Sequence, residues 1–115
     1  MPDVTLRGTG PLNDDVVERL EAEVAKALSM SMPCKLEYVI MNTASAQGKP
    51  KPMHQRKVTA HIVTGFLADK PENERRWTVK HIKLAVETAI NEVMPAIHSA
   101  EAFVIDSIPP AKDST

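Results

Sequence analysis

Two stretches with the apolar period of a helix each lie between two short strand-like runs, and this doubled order constrains the chain more than anything else in it. In the first, Val16, Val17, Leu20, Val24, Ala27 and Leu28 recur at spacings of three and four. Glu18, Arg19, Glu21, Glu23 and Lys26 fall mainly on the other side. Asn13 or Asp14 is placed to cap this helix, and Ser31-Met32-Pro33 ends it. In the second, Thr78, Ile82, Ala85, Val86, Ala89, Ile90 and Val93 form the stripe of a helix running to about Met94, interrupted at Pro95. Asp69 with Glu72 has the form of a capping box, and Pro71 suits a first helical turn.

The flanking runs have a period of two. Val4 and Leu6 alternate with Thr5 and Arg7 in a first strand that Gly8-Thr9-Gly10-Pro11 breaks. Leu36–Met41 reads as a second strand, Val58–Thr64, closed by Gly65, as a third, and Ala102–Asp106 as a fourth. Pro109-Pro110 opens a short polar tail. The order is β-α-β, a basic loop over 44–56, and β-α-β again, a single domain over 1–115 with an architectural repeat of 2–43 in 57–108. A helix between two strands carries the chain back across the sheet, which makes strands one and two parallel, and likewise three and four. The expected fold is α+β, a four-stranded mixed sheet with two helices on one face. The other face then carries Thr5, Arg7, Thr59 and His61, polar enough to meet water or line the interior of an oligomer.

Composition excludes several classes. A net charge of −1 gives no global field toward nucleic acid or an anionic membrane. Apolar runs are far too short to span a bilayer, and no charged segment followed by an apolar one opens the chain, so neither a membrane span nor a secretory signal is expected. The single cysteine, Cys34, allows no internal disulfide and suits a reducing cytoplasm. It reads as a small apolar filler rather than a nucleophile. The four aromatics, Tyr38, Phe66, Trp77 and Phe103, are too few for a sheet that stacks bases. Trp77 is expected to pack or, beside Arg75-Arg76, to belong to a subunit contact. His54, His61, His81 and His98 lack metal-ligand spacing, so no metal and no cofactor are expected. Lys49, Lys51, Arg56 and Lys57 make the central loop basic, which reads as a solvated segment.

The chemistry-bearing feature is Pro2, directly behind Met1. Removal of Met1 would leave a secondary amine at the start of a strand, a possible base or nucleophile. Apolar surroundings and nearby cations both disfavour a protonated amine and so bring such a base toward neutrality. Arg7, Lys35, Lys70, Arg75 and Arg76 are candidate cations, able also to hold a substrate carboxylate.

Met-Pro at the start of a strand, two β-α-β units, and Ala46-Gln47-Gly48 with Pro52 between them resemble the tautomerase superfamily, the group of 4-oxalocrotonate tautomerase and macrophage migration inhibitory factor. Ala25–Asn42 is also similar to the single unit of 4-oxalocrotonate tautomerase. The resemblance implies a homotrimer with sheets packed into a central barrel. It further implies proton transfer through Pro2 on a small 2-oxo or unsaturated carboxylate, or in some branches decarboxylation or hydrolytic dehalogenation. Some positions depart from the family. Tyr38 stands where 4-oxalocrotonate tautomerase has an arginine, and Met32 aligns with the lysine of migration inhibitory factor, with Lys35 close by. Phe103 and Ile105 replace that protein's tyrosine and asparagine, and Ala68 and Lys70 align with the arginine pair of the decarboxylase branch. Tyr38 and Phe103 are accordingly candidate substrate-binding residues. Two non-enzymatic readings stand beside this one: a ferredoxin-like binding module, and a tautomerase scaffold kept as an oligomeric structural protein. A ferredoxin-like sheet would place strands three and one together at its centre, whereas a tautomerase sheet pairs each β-α-β unit internally.

Overall fold

The computed structural model describes residues 2–9, 12–32, 35–44, 49 and 52–106. β1 (Asp3–Gly8), α1 (Asp14–Ser31) and β2 (Ile40–Ala44) form the first unit; β3 (Lys57–Thr64), α2 (Glu72–Val93) and β4 (Ser99–Asp106) form the second. One mixed sheet runs in the order β2-β1-β3-β4. β1 pairs with β2 and β3 with β4 in parallel, while β1 and β3 run antiparallel at the centre. Adjacency of the first and third strands therefore does not separate the two candidate folds, because joining two β-α-β units through their first strands also puts those strands at the centre. Parallel pairing within each unit does separate them, and it excludes the ferredoxin-like arrangement.

The even-numbered residues of β1, β3 and β4 face the helices. Val4, Leu6, Val58, Ala60, Ile62 and Ala102 are at most 1 % exposed, and Leu20, Val24 and Leu28 of α1 and Ile82, Val86 and Ile90 of α2 are fully buried against them. Burial of each such aliphatic side chain is worth about 1.5–3 kcal/mol, which is why both helices lie on this face. Two buried hydroxyls are satisfied locally: Thr78 Oγ1 donates to the Glu74 carbonyl at 2.8 Å, and Thr64 Oγ1 accepts the Phe66 amide at 3.1 Å.

Several local expectations are corrected. The run from Leu36 is not all strand: Leu36–Tyr38 is a 3-10 turn, and β2 begins at Ile40, which lies across from Asp3. Since β1 starts at Asp3, the residues before Ile40 have no strand to pair with. Pro71 is the N-cap of α2 rather than a residue of its first turn, and no side chain caps the helix, so Asp69 and Glu72 form no capping box. Asn13 is the N-cap of α1, also without a side-chain bond. β4 begins three residues early, at Ser99, and the central loop contains a 3-10 turn over Met53–Gln55. Trp77 does not pack into the core; it is 65 % exposed and stacks on His81. Cys34, the Ala46-Gln47-Gly48 segment and the tail from Ser107 lie outside the described residues.

Candidate functional site

Pro2 is buried immediately ahead of β1, and its carbonyl accepts the Ile40 amide at 3.0 Å. That bond fixes the start of the chain beside the segment entering β2. Lys35 and Tyr38 lie on this segment, with the lysine Nζ 5.7 Å from the centroid of the tyrosine ring. Both side chains are exposed, and Lys35 takes part in none of the ion pairs among the described residues.

On the other side of β1, the antiparallel register brings the end of β3 to the same end of the sheet, with Asp3 across from Val63. The turn after Thr64 carries Phe66, Leu67 and Lys70. Lys70 Nζ sits 4.4 Å from the centroid of the Phe66 ring and pairs with Glu74 at 3.4 Å. Arg75 is committed to structure: it donates to the Leu67 carbonyl at 3.2 Å and to Asp106 at 3.0 Å, tying the turn and the end of β4 to α2. Arg76 is exposed and bonds Glu72 within its own helix.

The candidate residues therefore divide. Pro2, Lys35, Tyr38, Lys70 and Arg75 come from segments that meet at one end of the sheet. Arg7 lies five residues along β1, about 16 Å away at a strand rise of roughly 3.3 Å per residue, across from Thr59 and Ala44. Phe103 lies two strands over on the open face, stacked on His61 with ring centroids 5.2 Å apart. Sequence reasoning missed Asp106 as the partner of Arg75, a pairing between residues 31 apart that no local pattern announces. Among the described residues, no group of three His, Cys, Asp or Glu is placed to hold a metal ion, and no helix is long and apolar enough to cross a membrane.

This architecture matches solved structures along nearly the whole chain. A macrophage migration inhibitory factor-like protein from Entamoeba histolytica superposes with a TM-score of 0.67 at 7 % identity, over 97 % of this chain and 91 % of that one. A malonate semialdehyde decarboxylase inhibited by 3-bromopropiolate gives 0.66 at 10 % identity, over 97 % and 86 %. A fused 4-OT described as a symmetric trimer gives 0.62 at 13 % identity, over 93 % and 85 %. No protein-family model and no curated protein sequence matches the chain. The fold is that of the tautomerase superfamily. The likeness extends over both β-α-β units, since each of these comparisons covers 93–97 % of this chain.

Proposed function

We propose that this chain, once Met1 is removed, is a tautomerase-like enzyme that uses the Pro2 nitrogen as a general base on a small 2-oxo or unsaturated carboxylate. The observation that carries this reading is the position of Pro2: buried and bonded through its carbonyl to Ile40, at the end of a segment that carries Lys35, a lysine in no ion pair among the described residues. Lys35 holds the substrate carboxylate, with Tyr38 beside it, and Lys70 adds positive charge from the turn after β3. Pro2 takes the proton from the enol hydroxyl and returns it to carbon, giving the keto form with no net change in the amine. An apolar setting around the freed nitrogen would disfavour the protonated amine and keep it able to accept that proton. Arg75 and Arg76 are assigned no substrate contact, since both are engaged within the protein.

A homotrimer with the sheets facing inward belongs to the same proposal. Ile40, Phe103 and Ile105 are 44 %, 41 % and 44 % exposed on the open face, apolar surface that association would cover. The fused 4-OT structure, a symmetric trimer, supports it by likeness of fold. The second reading is an oligomeric structural protein without turnover, favoured by Phe103 and Ile105 standing at positions where the resemblance expects polar side chains.

The test is turnover of an enol-pyruvate probe by the wild type and by Pro2→Ala, with intact mass confirming that Met1 is gone. Loss of at least about 100-fold with the assembly unchanged is expected. Equal activity in the two proteins would overturn the mechanism.

A further inference from the structure

Arg7, remote from Pro2, raises the question of what it serves on the open face of the sheet. It lines a single depression there with Thr5, His61 and Ile105. Thr5 and His61 are direct partners across β1 and β3, and Arg7 follows Thr5 on the same face. We infer that Thr5, Arg7 and His61 form an anion-binding site for a small oxyanion, a dicarboxylate or inorganic phosphate, separate from the Pro2 end of the sheet.

Three residues with hydrogen-bond donors line this depression. The guanidinium offers a planar fork suited to two oxygens of one anion, the imidazole a ring N–H and the threonine a hydroxyl. Among the described residues, Arg7 enters no ion pair, and no side-chain hydrogen bond uses Thr5 or His61. The stack of His61 on Phe103, with planes 19° apart, holds the imidazole in one orientation, while Ile105 supplies an apolar wall. Two carboxylates share this face: Asp3, which accepts a bond from Asn42 at 3.3 Å, and Glu101, beyond Thr59 on β4. Among the described residues neither forms an ion pair with Arg7, whose guanidinium is left to a ligand. The site itself depends neither on Pro2 nor on the removal of Met1.

The experiment is a titration of the ¹⁵N-labelled full chain with malonate and with inorganic phosphate, using chloride at matched ionic strength as control. Saturable amide shifts at Thr5, Arg7 and His61 are expected in the range of about 1–10 mM, a weak but specific affinity. Saturation by malonate or by phosphate alone identifies the ligand class. Arg7→Gln should weaken binding at least tenfold and His61→Gln several-fold, whereas Pro2→Ala should leave it unchanged. Arg7 is exposed, so its variant keeps the fold, which a dispersed spectrum verifies. A linear response equal to that of chloride, unaltered binding by Arg7→Gln, or shifts confined to Lys35 and Tyr38 would each overturn the assignment. Loss of turnover in Pro2→Ala with this binding intact separates the site from the proposed catalysis.

Discussion

Glu87 of α2 accepts the backbone amide of Ala102 at 2.9 Å, on the outer edge of β4. Lys83, one helical turn earlier, donates to the Ala102 carbonyl at 3.0 Å and to Glu87 at 2.7 Å. Two side chains of the crossover helix thus occupy both backbone groups of one edge residue, where an added strand would otherwise bond. Glu87→Ala should expose the Ala102 amide to hydrogen exchange and cost about 0.5–1.5 kcal/mol, the net contribution of a typical intramolecular hydrogen bond. Mass-resolved exchange of the β4 peptide and a denaturant midpoint check both. Unchanged protection would show that the bracket does not close the edge.

Arg75 joins α2 to Leu67 and Asp106, next to the end of β3. Arg75→Ala should lower the midpoint of chemical unfolding by an amount equivalent to about 1–2 kcal/mol, because both partners lose a charge-assisted bond. Arg75→Lys should recover only part of this, since an ammonium lacks the fork that reaches two acceptors.

Lys35 and Trp77 test the assignment of surface roles. In the catalytic reading, Lys35→Ala raises KM about tenfold and leaves kcat nearly unchanged, the pattern of a lost uniform binding contact. A steady-state comparison with the wild type decides it, and a fall in kcat at constant KM would count against a carboxylate-holding role.

Trp77→Ala, by contrast, should shift stability by no more than about 0.5 kcal/mol, because the side chain lies outside the core. Ile82→Ala, five residues along the same helix, removes a fully buried side chain and should cost about 2–5 kcal/mol. Thermal denaturation of the two variants side by side checks which face of α2 carries the fold.

The sequence by itself determined the helices and their buried stripes. Leu20, Val24 and Leu28, and Ile82, Val86 and Ile90, are at the positions where a period of 3.6 must bury one face. It also determined β3, whose alternation puts Val58, Ala60 and Ile62 inside and Thr59 and His61 on the open face. Only the tertiary structure decided where β2 begins, since β1 starts at Asp3, across from Ile40, and Leu36–Tyr38 has no strand residue opposite it. Only it committed Arg75 to Asp106. Periodicity reports which face a residue lies on, because that depends on backbone geometry alone. Which charges meet depends on register and on the end of the sheet each loop reaches, quantities set by long-range pairing.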